Sequence, residues 1–161
     1  MIVGDMEKEL EKKSVLLKIT GDMLNSILEG LSQVDLETAI KIMELCGETC
    51  ARQEVYGPAI EIAAKIAKEE VDEGRIIERA NEEILWCGKW ARKGETIQCT
   101  CTKCGCPLVR NEVVRNTGMF CYCSRGWVRR IFETLLKKPV HVELEKAIGF
   151  GDDECRYVVY T

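Results

Sequence analysis

The sequence predicts an α+β fold: N-terminal helices packed on an antiparallel sheet, with one late helix before a C-terminal hairpin. Three observations predict it. Up to residue 84, apolar residues recur at i, i+3, i+4. From Trp86 onward, cysteines, aromatics and β-branched residues take over and apolar residues alternate with polar ones. One further helical stripe, from Trp127 to Leu135, interrupts the alternating runs. The 161 residues are read as a single domain, 1–161, with a helical part (1–84) and a cysteine-rich sheet part (85–161).

Each element has its own signal. Leu24, Ile27 and Leu28 suggest a short helix closed by Gly30. Asp35 is placed to cap a helix whose stripe is Leu36, Ala39, Ile40, Met43, Gly47 and Cys50. Gly57-Pro58 breaks the chain and restarts it with proline near the first helical position. Ala59, Ile62, Ala63 and Ile66 form the next stripe, and Ile76, Ile77, Ala80 and Ile84 another beyond Gly74. The charged run from Lys65 to Glu83 reads as a solvated helix face. Trp86 to Trp90 and Thr96 to Thr102 read as strands joined by Arg92-Lys93-Gly94. Residues 103–120 read as a loop with a short strand at Leu108-Val109. Ser124 is placed to cap a helix with Trp127, Val128, Ile131, Phe132 and Leu135 inward, ended by Pro139. Val140, Val142 and Leu144 alternate with His141, Glu143 and Glu145. After a turn over Gly149 to Asp153, Cys155, Tyr157 and Val159 form the returning strand.

Composition narrows the function. The net charge of −4 lacks the basic excess that drives phosphate binding, so nucleic acid is an unlikely partner. No apolar run approaches the ~20 residues of a membrane span, and the start, MIVGDMEKELEKK, has no signal-peptide pattern. The expectation is a cytoplasmic protein. Ten cysteines in such a chain point to metal or thiol chemistry before disulfides. A single histidine, His141, excludes an imidazole-rich site.

Six cysteines fall within 25 residues. Cys101-Thr-Lys-Cys104 is a C-x2-C clip and Cys121-Tyr-Cys123 a C-x-C clip, and together they approach a four-thiolate zinc pattern. A tetrahedral ion wants four soft donors at ~2.3 Å, and two short clips supply them with little loop entropy. Cys104-Gly-Cys106 is an alternative first clip, so Cys101, Cys104, Cys106, Cys121 and Cys123 compete for four places. The second clip sits at the expected helix start, where the dipole favours a thiolate as ligand or nucleophile. Cys99 and Cys87 read as core residues. Cys46 and Cys50 share a helix face, as core packing or as thiols lining a cavity.

The run Cys121-Tyr-Cys123-Ser-Arg-Gly126-Trp127, with Phe132-Glu133, Lys138-Pro139-Val140-His141-Val142-Glu143-Leu144, Gly149 to Glu154 and Cys155-Arg156-Tyr157, resembles the end of vinyl-4-reductase-type small-molecule-binding domains. It is similar, too, to the family named after L-2-amino-thiazoline-4-carboxylic acid hydrolase. The resemblance covers about 121–158, is weaker around Cys46 to Arg52 and is absent over the first 30 residues. It implies helices on one face of an antiparallel sheet, a homodimer, and a small apolar or aromatic ligand. It also implies a zinc held by cysteines and a glutamate beside a hydrophobic pocket. Carried over, Cys155 matches the late cysteine, Cys121 or Cys123 the one before the helix, and Glu143 or Glu145 the acid. A further cysteine expected around Glu145 to Ala147 is missing here, and the 101–106 cysteines would complete the set.

Two main readings follow. One is a zinc-stabilised, sensor-like binding domain. The other is a cysteine-dependent hydrolase or reductase using Cys121 or Cys123, for which only His141 is available as a histidine partner. An iron–sulfur protein is a third, since the same sulfurs suit it.

Overall fold

The computed structural model describes residues 2–52, 58–115 and 117–161. It is α+β. Four helices come first: α1 (Ile2–Leu31), α2 (Leu36–Cys50), α3 (Ala59–Glu69) and α4 (Glu73–Glu83). Then follow β1 (Trp90–Lys93), β2 (Thr96–Cys101), a single-turn α5 (Pro107–Arg110) and the long α6 (Thr117–Leu136). The chain ends with β3 (His141–Lys146), a 3-10 turn over Ile148–Phe150, and β4 (Cys155–Tyr160). The strands form one antiparallel sheet in the order β1-β2-β4-β3.

The helices cover one face of this sheet. Period-2 alternation sends Ile97, Cys99 and Cys101 of β2, and Cys155, Tyr157 and Val159 of β4, to that inner face, where all six are buried. The register aligns Trp90, Cys99, Tyr157 and Leu144 across the four strands. Val128, Ile131, Phe132 and Leu135 of α6 meet this row, with Ala63 and Ile66 of α3 and Ile77 and Ala80 of α4 in the same core. A second core joins Leu28 and Leu31 of α1, Ala39 and Met43 of α2, and Phe120 and Cys123 of α6. His141, Glu143 and Glu145 lie on the outer face.

Helix starts follow the expected chemistry in two places. The Asp35 carboxylate accepts from the Thr38 N–H at 2.9 Å, and Asp72 does the same for Arg75 at 2.9 Å. The expected break at Gly57 lies outside the described residues; α3 begins directly after Pro58.

Four local readings need correction. The short helix closed by Gly30 is the end of α1, a helix of 30 residues. Its apolar side chains lie on two sides, so no single stripe marks it. The first strand is Trp90–Lys93, not Trp86 to Trp90, and the turn is Gly94-Glu95, with Gly94 at φ 60°. Leu108-Val109 belongs to α5, which starts on Pro107. Finally, α6 begins at Thr117, so Ser124 lies inside it and donates its hydroxyl to the Cys121 carbonyl at 2.6 Å. Burial of Phe120 and Cys123 in the second core extends the helix backward.

Candidate functional site

The topology gathers sulfur. Cys155 opens β4, directly across from Cys101 at the end of β2. Cys121 and Cys123 lie on α6, and Cys104 and Cys106 on the loop before α5. Cys121 lies near enough to Cys155, Cys104 and Cys106 that charge on those sulfurs would raise its pKa. Cys123 stands in the same relation to Cys50, Cys106, Cys46 and Cys121. A seam of thiols therefore runs from the end of α2, past the 104–106 loop, to the sheet. Two backbone N–H groups of the 3-10 turn point into it: Ile148 at the Cys155 sulfur, 3.5 Å away, and Gly149 at the Cys121 sulfur.

Not every candidate joins the seam as expected. Cys101 is disulfide-bonded to Cys87, so its thiolate is not available while that bond stands. Cys87, expected in the core, is exposed on the irregular segment before β1. Cys99 is buried as expected and lies 3.9 Å from the Cys101 sulfur. Glu143 and Glu145, the acids implied by the family resemblance, point away from Cys155 on the other side of the sheet. Instead, Glu143 accepts from the Tyr160 hydroxyl at 3.0 Å and lies 3.4 Å from His141. Among the described residues no three such donors stand around a common point.

The nucleophile argument loses its premise. Cys121 and Cys123 are in the second turn of α6, not at its start. Burial dominates their titration: it pushes Cys121 up to about 12 and Cys123 well above the ordinary thiol range. Both are neutral thiols near neutral pH. His141 is on the opposite side of the sheet and cannot serve as their base.

Beside the seam is a cluster of aromatic rings that the sequence reading split between a strand and a helix face. Trp90 contacts Phe132 edge-on at 4.7 Å between centroids, and Tyr157 at 6.1 Å. Trp86 packs edge-on against Trp127 at 5.0 Å and Trp90 at 5.3 Å. The polar tips of two members are satisfied. Trp86 donates its indole N–H to the Ala80 carbonyl at 2.8 Å, and Tyr157 donates its hydroxyl to Ser124 Oγ at 2.8 Å. The third is not: Trp90 is 3% exposed, and among the described residues its indole N–H has no acceptor. A buried unpaired donor costs about 1–3 kcal/mol. Three tryptophans in a chain with 6% aromatic residues were the available signal, but their convergence depends on tertiary structure.

A family model matches residues 35–160. The chain belongs to DUF6144, a family of unknown function. Among curated proteins none matches. The fold is similar to the crystal structure of the phenol-responsive sensory domain of the transcription activator PoxR with phenol. The TM-score is 0.52 at 12% identity, over 89% of this chain and 73% of that one. At that identity the two share a fold. Among the described residues no helix is long and apolar enough to cross a membrane.

Proposed function

We propose that this DUF6144 chain is a sensor-like domain that binds a compact aromatic molecule carrying a hydrogen-bond acceptor, as a phenol does. The observation that carries this reading is the unpaired indole N–H of Trp90 inside a cage of aromatic rings. A phenolic oxygen would accept from it, while the ring would stack among Trp127, Phe132 and Tyr157. The cage is filled by its own side chains, so the ligand would take the place of the half-buried Trp86 ring. Trp86 lies on a segment that forms neither helix nor strand. The likeness in fold to a phenol-responsive sensory domain supports this reading, and the proposal includes a cytoplasmic location.

Zinc is the second part of the proposal. The acid-containing donor set does not fit, because both glutamates face away. An all-sulfur set of Cys104, Cys121 and Cys155, with Cys106 as fourth ligand, would have to draw together around the ion, because among the described residues no three donors stand around a common point; Cys123 is turned into the second core. The N–H groups of Ile148 and Gly149 already favour charge on two of these sulfurs. Bound there, zinc would tie the 104–106 loop to α6 and β4 and so stiffen the floor beside the cage.

The test is titration of the full chain with phenol, followed by tryptophan fluorescence. Saturable binding is expected, weakened about tenfold in Trp90→Phe, which keeps a ring and removes the donor. No binding at millimolar phenol would overturn the ligand reading. Elemental analysis addresses the metal separately. One zinc per chain, lost in Cys155→Ser, is expected; a brown, iron-containing protein or a metal-free one would overturn it.

A further inference from the structure

We propose that the disulfide between Cys87 and Cys101 is a redox clasp on the stretch of chain that carries Trp86. A dithiol that reduces it frees the Trp86 ring from the aromatic cage, and reoxidation pins the ring again. The clasp rests on the ligand reading only for what then enters the cage.

The two ends of the bond are held in different ways. Cys101 is 1% exposed and ends β2, which pairs with β1 on one edge and β4 on the other. Cys87 is exposed and lies on the stretch between α4 and β1. That stretch is anchored at each end. Ile84 is buried and donates its N–H to the Ala80 carbonyl at 3.0 Å. Asn81 grips Trp90 through both its N–H and its carbonyl, each at 2.8 Å. Between these anchors, among the described residues, no backbone–backbone hydrogen bond holds residues 85–89. Reduction therefore leaves β2 in its ladder and loosens only the stretch with Trp86, a local opening rather than an unfolding.

The neighbouring chain is shaped to receive the bond. A Cβ at Gly88 would stand 2.3 Å from the Thr100 carbonyl oxygen and 2.9 Å from the Cys99 sulfur. A Cβ at Gly105 would stand 3.0 Å from the Cys87 Cβ. Two glycines thus let Cys87 lie between the end of β2 and the 104–106 loop. Once the clasp is open, Trp86 keeps only its indole bond to Ala80 and its edge contacts with Trp90 and Trp127. An incoming ring can replace those contacts. In a cytoplasmic protein a disulfide is usually transient or redox-sensing.

Access sets the order of the exchange. A thiolate of the dithiol attacks the sulfur of exposed Cys87. A mixed disulfide forms there, the bond to Cys101 breaks, and Cys101 leaves as a thiolate that takes a proton. The second thiol of the reductant then attacks the mixed disulfide and releases Cys87, which is protonated in turn. Two electrons pass from the dithiol, which leaves as a disulfide. A small-molecule disulfide, as oxidant, closes the clasp by the reverse steps.

The test treats the full chain, purified without reductant, with millimolar dithiothreitol. Peptide mass mapping after labelling in denaturant with N-ethylmaleimide should find Cys87 and Cys101 blocked before reduction and labelled after it. Acrylamide quenching of tryptophan fluorescence should rise roughly twofold on reduction, with the far-ultraviolet circular dichroism unchanged. Trp86→Phe should abolish the rise. Cys87→Ser should behave as the reduced protein and ignore dithiothreitol. Cys87 already labelled before reduction would overturn the proposal, as would quenching that reduction does not change. Loss of the folded signal on reduction would make the bond a structural staple and overturn it too. Phenol should bind the reduced form roughly threefold more tightly. Phenol that binds neither form while Trp86 still loosens would sink the ligand reading and support the clasp alone.

Discussion

Gly47 of α2 lies against the backbone of Cys123 on α6: a Cβ at Gly47 would stand 1.8 Å from the Cys123 carbonyl oxygen. Gly126, one turn on, meets the Glu44 carbonyl in the same way, at 2.1 Å. These two glycines let the helices cross backbone to backbone. They bring Cys46 and Cys50 up to Cys123, and so set the α2 end of the thiol seam. No flexible side chain is available to yield, so Gly47→Ala must push the helices apart. The expected cost is about 3 kcal/mol, read as a lower midpoint in urea unfolding. Gly30→Ala is the control. Its Cβ meets nothing within 4 Å, and the change should be neutral or stabilise by ~0.5–1 kcal/mol. Equal effects at the two sites would refute the close crossing.

The same crossing carries a charge network. Glu44 is 7% exposed. It accepts from Arg125 and, at 2.7 Å, from Arg129, whose other nitrogen reaches Glu48 at 2.6 Å. Removing the central carboxylate leaves two guanidinium groups partly buried beside each other. Glu44→Ala should cost about 2–3 kcal/mol and lower the melting temperature by roughly 5–10 °C. Glu37→Ala breaks an exposed pair with Lys41 and should change little. A Glu44→Ala protein as stable as wild type would show that the network contributes nothing net.

How much of this was legible follows from where each signal resides. Alternation in Val140 to Glu145 and Cys155 to Val159 marked β3 and β4, because one face of each is buried and the other is not. Asp35 marked the start of α2 through a local bond. The start of α6 was hidden, since Phe120 and Cys123 make it helical by entering a core built from α1 and α2, far away in sequence. The clip Cys101-x2-Cys104 read as two ligands, yet Cys101 is committed to Cys87, a partner that spacing did not suggest. Trp90 could be recognised as apolar and large. That its N–H is stranded depends on Phe132 and Tyr157 closing over it, which only the packed chain reveals.

Thiol reactivity separates a buried ligand set from an activated nucleophile. With its pKa pushed up to about 12 by burial, Cys121 in the metal-free protein is thiolate in roughly one molecule in ten thousand at pH 8. Iodoacetamide should therefore modify exposed Cys46 first and leave Cys121 intact for much longer, as read by peptide mass mapping over time. Cys121 alkylating ahead of Cys46 at pH 7 would restore the hydrolase or reductase reading.

Acid should weaken α4 and its tie to α3 through Lys65. Arg79 donates to Glu83 at 2.7 Å and to Glu69 at 2.9 Å. The Arg79 bond, helped by Lys65, holds the Glu83 carboxyl below its ordinary value of 4.5. Because the folded state keeps Glu83 ionised to lower pH than the unfolded chain does, the unfolded chain takes up the proton first. The stabilisation is complete above about pH 5 and is lost as pH falls through the folded pKa. Melting temperature should be level between pH 6 and 8 and decline below 5, and half-molar salt should blunt this part of the decline, because the carboxylates are partly solvated. Glu83→Gln should melt lower at pH 7 yet decline less steeply in acid, since it has no proton to gain. Parallel pH curves for the two proteins would show that the Arg79–Glu83 pair within α4 adds no acid-sensitive stability.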